Sequence, residues 1–361
     1  MKKYKYLYDP TISYEENYKK GPGITTYKKN LIREKLKYEL FGYKIDLPFG
    51  IPAGPLLNKK FVYAAWNLGF SIATYKTVRA HLFPSHPFPN VVRVKSNSDR
   101  VLPGDTVLGS LNLTRINIFK DSITNSFGVP SQSPKVWQKD VKQTLKKMPH
   151  GKILVLSFMG TKIDTMTHKE YIDDFAKACS LANETGAPIL EVNFSCPNFG
   201  KEGLICNDLS MSTQILEAIA RKKGNSPLIV KISYFPRDKQ NVLEDFLERV
   251  NKYANGVSAI NTISANVVDK NGKQLLPGSP VRFVSGICGA KIKWAGLEMA
   301  KRIMDIKKKR GWKDLAVIGV GGITTTQDFK SYMSLGVDAA LSATGAMWQP
   351  DLASRIHREI I

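Results

Sequence analysis

The stretch EVNFSCPN, Glu191 to Asn198, begins like a strand and ends with a thiol, Cys196, set between the amides of Asn193 and Asn198. An apolar core has no use for that grouping. A thiol with a free pKa of about 8.5 can be tuned to accept a proton near neutrality, so Cys196 is a candidate general base. A nucleophilic role has less support. It would need an adjacent base, and His81, His86, His150, His168 and His357 all fall away from the predicted strand ends. Cys206, within GLICND of the same loop, is a rival for the base and equally a small hydrophobe.

Further amides stand at Asn125 in ITNSFGVP and at Asn261-Thr262. Each alone fits a turn. Together with Asn193 and Asn198 they would recognise a planar ligand edged with N–H, C=O and carboxylate groups. Two lysines, Lys76 in SIATYKTV and Lys231 in LIVKISY, interrupt otherwise apolar runs. A buried ammonium is costly unless paired or functional, and at a strand end it suits a cofactor that becomes anionic. Its stem could instead carry the charge out to solvent.

The elements that must position these residues follow a rhythm of short apolar runs: 49 to 54, 71 to 78, 153 to 160, 189 to 195, 228 to 234, 256 to 262, 315 to 322 and 338 to 345. Several are almost continuously apolar, as strands covered on both faces should be. Amphipathic segments such as 169 to 186 and 295 to 311 separate most of them. About eight strand–helix alternations point to an α/β fold, a (β/α)8 TIM barrel; a doubly wound sheet competes, but no GxGxxG follows the first strand. In such a barrel the strand ends form the site, and the loops after strands seven and eight commonly take a phosphate. Here those loops read Gly319-Val320-Gly321-Gly322 and Ala343-Thr344-Gly345, with SGICGAKI, Ser285 to Ile292, as a third glycine-bearing loop. Glycine lets backbone N–H groups approach an anion closely, though it also permits tight turns. The gap between strands two and three, 79 to 152, is long enough for a lid or part of the site. Residues 27 to 41 read as one amphipathic helix, either a cap on the barrel or a membrane-surface contact.

Composition bounds the rest. A chain of 361 residues can bury one large core. It holds no run long enough to span a membrane and no secretory h-region, which predicts a cytoplasmic protein. The four cysteines form no CxxC pair, so an iron–sulfur cluster or zinc site would need a partner chain and no metal is expected here. Lys+Arg outnumber Asp+Glu by 53 to 31, a net charge of +22. Spread along the whole chain, that charge reads as a lysine-rich surface attractive to anionic substrates rather than as a nucleic-acid footprint.

At these residues the chain resembles the dihydroorotate dehydrogenase family, an FMN-containing (β/α)8 barrel group, and more distantly the pyrimidine-reducing domain of dihydropyrimidine dehydrogenase. The likeness runs over residues 47 to 350. EVNFSCPN is similar to the family's N-x-S-C-P-N loop, GVGGI to its flavin phosphate loop and NSFGVP to its substrate-binding N-S-x-G-x-P turn. YKT and VKI resemble its two flavin-facing lysine strands, and AINT its strand-six amide pair.

The resemblance implies an FMN oxidoreductase that converts dihydroorotate to orotate in pyrimidine biosynthesis; another pyrimidine or enone-like substrate is the alternative. Cys196 would take a proton from C5 while C6 passes hydride to flavin N5, and a cysteine in that place resembles the soluble class. Lys76, Asn125, Phe127, Gly128, Val129, Asn193, Asn198, Asn261 and Thr262 would surround the substrate. Ala53, Gly54, Lys76, Thr77, Asn193, Lys231, Gly289, Gly321, Gly322, Thr344 and Gly345 would hold FMN. The expected division is an N-terminal extension, 1–46, and a barrel, 47–361. Departures from the pattern are Ser131 in place of the asparagine of many members, the bulk of Phe127, the length of the extension and the unusual 79–124 segment. The electron acceptor stays open among fumarate, NAD through a partner, and quinone, and a homodimer is one assembly the reading allows.

Overall fold

The computed structural model describes residues 6–26, 36–95, 98–114, 116–195, 205–278 and 282–360. Eight parallel strands close into a barrel in chain order: β1 (Phe49–Ile51), β2 (Ile72–Val78), β3 (Ile153–Phe158), β4 (Ile189–Asn193), β5 (Leu228–Ile232), β6 (Gly256–Ala259), β7 (Ala316–Val320) and β8 (Ala339–Leu341). A helix follows each strand, from Lys59–Asn67 after β1 to Leu352–Glu359 after β8. This is the predicted (β/α)8 barrel, and every predicted apolar run supplies one of its strands.

Alternation along the strands sorts the side chains into two populations. Ala73, Tyr75, Leu154, Leu156, Leu190, Val192 and Val230 face outward, in one buried cluster with helix residues such as Phe175, Leu216 and Phe246. Ile72, Ile153, Val155, Ile189, Ile229 and Ile318 belong to a separate cluster that fills the lower interior. Farther along the same inward faces come Thr74, Lys76, Ser157, Glu191, Asn193, Lys231 and Ser258, all buried. The interior therefore changes from apolar at the N-terminal end to polar at the C-terminal end. The Oγ1 of Thr74, the Oγ of Ser258 and Oε1 of Glu191 have no hydrogen-bond partner among the described residues.

Two expectations are corrected. The helix expected over 27 to 41 is contradicted in its described part. Tyr38–Leu40 is a strand that pairs antiparallel with Tyr43–Ile45 through Phe41 and Gly42, at φ 50° and 82°. Two left-handed residues in a two-residue loop make the hairpin turn that suits strand twist. The hairpin sets Leu40 and Ile45 against the lower interior cluster and so plugs the barrel floor. The 79–152 segment, expected as a lid or part of the site, lines the site through Asn125 and Phe127 among others. Its strands Arg93–Lys95, Thr106–Ser110 and Ser122–Asn125 join Ile263–Val268 and Val284–Gly289 in a second, five-stranded closed barrel. SGICGAKI, expected as a loop, is thus mostly strand, and its Cys288, Gly289 and Ile292 reach the cleft described below.

At the N-terminus, Ser13 and Glu16 form a capping box that starts the helix Tyr14–Lys20. Hydrogen bonds from Leu7 N to Met347 O (3.2 Å) and from Asn58 Nδ2 to Tyr18 O (3.0 Å) tie this segment to both sides of the barrel mouth. Among the described residues no helix is long and apolar enough to cross a membrane.

Candidate active site at the barrel mouth

A cleft of about 1220 Å³, counting its open mouth, lies at the C-terminal ends of the strands beneath the small barrel. Its lining includes Lys76, Asn125, Phe127, Gly128, Val129, Asn193, Asn261 and Thr262, and also Ala53, Gly54, Thr77, Lys231, Gly289, Gly321, Gly322, Thr344 and Gly345. Every predicted site residue within the described part of the chain is brought to this one cavity. Cys196 and Asn198 lie outside the described residues.

The residue before Cys196, Ser195, is held by two amides. Asn193 Oδ1 accepts hydrogen bonds from Ser195 N (3.0 Å) and Ser195 Oγ (2.9 Å), and Asn261 Nδ2 donates to Ser195 O (2.8 Å). Two of the four amides predicted to hold a ligand thus also clamp the residue before the thiol. Cys206 is fully buried in the short turn Ile205–Asn207, and burial pushes its thiol up to about 12. That removes it as a rival base near neutrality.

Both lysines are buried, as their strand positions require. Lys231 is 2% exposed and its ammonium lies 3.4 Å from Ala53 O; Lys76 is 7% exposed, with Nζ 5.5 Å from the centre of the Tyr14 ring. Glu191 sits below them in β4, and burial raises its pKa, with the Lys231 charge acting in the opposite direction. Thr77 Oγ1 and Ser157 Oγ lie 3.0 Å apart.

The glycine loop after β7 is held from behind. Asp328 Oδ2 accepts from Thr324 N (2.9 Å) and Thr325 N (3.0 Å), Thr325 caps the helix Thr326–Met333, and Tyr332 OH donates to Gly321 O (2.8 Å). Gly322 has φ +67°, and a Cβ there would stand 2.5 Å from Lys293 Cβ and 2.9 Å from Lys293 N. Glycine at that position is needed for packing as well as for any anion approach. At Gly54, by contrast, nothing lies within 4 Å of where a Cβ would stand. The backbone there borders open cleft.

These residues fit a flavin. Open space at Gly54 leaves room for a ring, Lys231 places a buried positive charge beside Ala53, and the glycine-bearing loops border the same cavity. Lining residues not anticipated include Tyr8 and Tyr14, from the N-terminal segment, and Cys288, whose thiol burial raises to about 11. The tyrosines carry no motif; their richness in the first 46 residues was the only signal, and it did not say where they pack. Tyr8 and Tyr14 both pack against Phe127, with ring centres 5.8 and 6.4 Å away.

Fold and cleft together define a (β/α)8 barrel whose mouth gathers cations and amides against a glycine-bordered rim. The dihydroorotate dehydrogenase family model matches residues 112–361. Dihydroorotate dehydrogenase of Dictyostelium discoideum is 34% identical over 97% of this chain and 96% of its own length. The chain belongs to the dihydroorotate dehydrogenase family, whose members are flavin-dependent oxidoreductases. The dihydroorotate dehydrogenase B (NAD(+)) catalytic subunit of Maridesulfovibrio salexigens is 31% identical over 65% of this chain and 70% of that protein. The NAD-dependent dihydropyrimidine dehydrogenase subunit PreA of Escherichia coli is 24% identical over 88% of this chain and 70% of that protein.

Proposed function

We propose that this chain is an FMN-dependent, cytoplasmic dihydroorotate dehydrogenase that oxidises dihydroorotate to orotate for pyrimidine biosynthesis. The observation that carries the proposal is the convergence of Lys76, Asn125, Asn193, Lys231, Asn261 and Thr262 on one cleft bordered by Gly321, Gly322, Thr344 and Gly345. The glycine loops with Thr344 and Gly289 would cradle the phosphate, and Ala53, Gly54, Thr77 and Lys231 would meet the ring. A flavin bound there supplies the hydride acceptor. Asn125, Phe127, Gly128, Val129, Asn193, Asn198, Asn261 and Thr262 would orient the substrate ring and its carboxylate, assisted by Lys76. Cys196 would accept the proton from C5; Ser195 before it is held by the hydrogen bonds it makes with Asn193 and Asn261. Lys231 would offset negative charge at the ring edge, an interaction that strengthens as charge develops and so assists the reaction.

The relation to PreA favours one second reading, a reductase of an uncharged pyrimidine in the same cleft. Anaerobic mixing of the FMN-loaded protein with dihydroorotate, and separately with dihydrouracil, distinguishes them. Bleaching of the flavin band by dihydroorotate alone is expected; bleaching only by dihydrouracil would overturn the assignment.

A further inference from the structure

Arg79 follows β2 directly, three residues beyond Lys76, and is 3% exposed. Its guanidinium reaches two loops at once. Nε donates to Val129 O (2.9 Å), Nη2 to Gly128 O (3.2 Å), and Nη1 to Gly160 O (2.9 Å) and Thr161 Oγ1 (3.1 Å). The Phe83 ring lies against the guanidinium, 4.1 Å from ring centre to Cζ. The main chain of Arg79 is held as well: its N–H donates to Ser131 Oγ (3.0 Å), and Trp137 Nε1 donates to its carbonyl (3.2 Å).

The segment gripped in this way is unusual. Gly128 and Val129 lie at φ 74° and 53°. A left-handed β-branched residue is a genuine outlier that persists only where its surroundings over-determine it. Here the carbonyls of both left-handed residues are received by the fork of one guanidinium, a planar donor set that lysine cannot reproduce. Ser131 and Phe83 exchange two backbone hydrogen bonds, N to O in each direction at 2.8 and 2.9 Å, and close the far end of the turn.

We infer that Arg79 is the positioning residue of the turn that follows Asn125, holding Gly128 and the strained Val129 in the conformation that presents Phe127, Gly128 and Val129 to the substrate. The inference deepens the proposed function, because it rests on reading 125–131 as the substrate loop. Arg79 itself is not among the cleft-lining residues. Its effect is therefore on substrate affinity, exerted through the turn.

The test is Arg79→Lys in the FMN-loaded enzyme, read as KM, kcat, flavin content and the Kd of orotate from the flavin spectrum. We expect KM and Kd to rise by about tenfold or more while kcat changes by less than about threefold, the signature of lost binding that is uniform between ground and transition states. Flavin content stays at the wild-type level. Unchanged KM and Kd would overturn the inference, and so would a fall in kcat accompanied by flavin loss, which marks a general scaffold role. Phe83→Leu provides the second arm if Arg79→Lys does not fold, since it removes the ring that lies against the guanidinium at a residue outside the cleft lining. It should raise KM by roughly two- to fivefold with kcat kept; no change there overturns the inference equally. Wild-type protein inactive on dihydroorotate refutes the proposed substrate, whereas active wild type with unaltered variants refutes only the role of Arg79.

Discussion

At the scale of single residues, the chemistry divides between one thiol and the charges around it. General-base catalysis contributes typically 10²–10⁴-fold, so Cys196→Ala should keep flavin and orotate binding while flavin reduction by dihydroorotate falls by about that factor. Stopped-flow reduction at the wild-type rate would remove Cys196 from the mechanism. Cys196→Ser should be slow at neutral pH and recover partly as pH rises, because a hydroxyl accepts the proton only at a far higher pKa than a thiol. Glu191 offers a stability test. Its folded pKa lies above the ordinary value of 4.5, principally through burial. As pH rises through 4.5 the unfolded chain loses this proton while the folded chain keeps it, so the group's contribution to stability is lost above that pH. Glu191→Gln should therefore gain stability over the wild type between pH 5 and 7 and show no gain below about pH 4, measured by denaturant midpoints. A pH-independent difference would mean that the carboxyl is not neutral in the fold.

At the scale of elements, the eight barrel strands were legible because each is a short apolar run buried on both faces, a pattern few alternatives satisfy. The strand-end lysines and asparagines were legible for the same reason, as polar residues that an apolar strand does not explain. The small barrel was not. Its strands are three to six residues long and come from two segments far apart in the chain, so pairings such as Asn125 with Gly286 are set by tertiary contact and leave no local period. The floor hairpin hid for another reason: Tyr38 to Ile45 contains apolar residues at helical spacing, and only the turn at Phe41-Gly42 separates the two readings. The N-terminal helix supplies Tyr14, 4% exposed, between Phe127 and the Lys76 ammonium. Tyr14→Ala should destabilise by about 3 kcal/mol, in the range of buried aromatic truncations, whereas Tyr14→Phe keeps the ring contacts and should change stability far less. Equal losses in urea unfolding for the two variants would show that the hydroxyl, not the ring, holds the segment.

At the scale of the whole molecule, two barrels share one cleft and the surface around them carries a net charge of +22. Exposed lysines pair with carboxylates in places, as Lys301 with Asp305 and Lys309 with Glu244, and such surface pairs add little to stability. The expectation is that the excess charge acts at a distance, on ligands of opposite sign. Fields of this kind raise association rates by focusing anions toward a cleft and are screened over roughly 8–10 Å near physiological salt. Orotate carries a carboxylate and uracil does not. The association rate of orotate with the FMN-loaded enzyme, followed by the change in flavin absorbance, should fall by about tenfold between 0.02 and 0.5 M salt. Uracil should show no comparable dependence. If orotate binding is equally fast at both salt concentrations, the charge serves the surface alone, and anion capture is the work of the residues within the cleft.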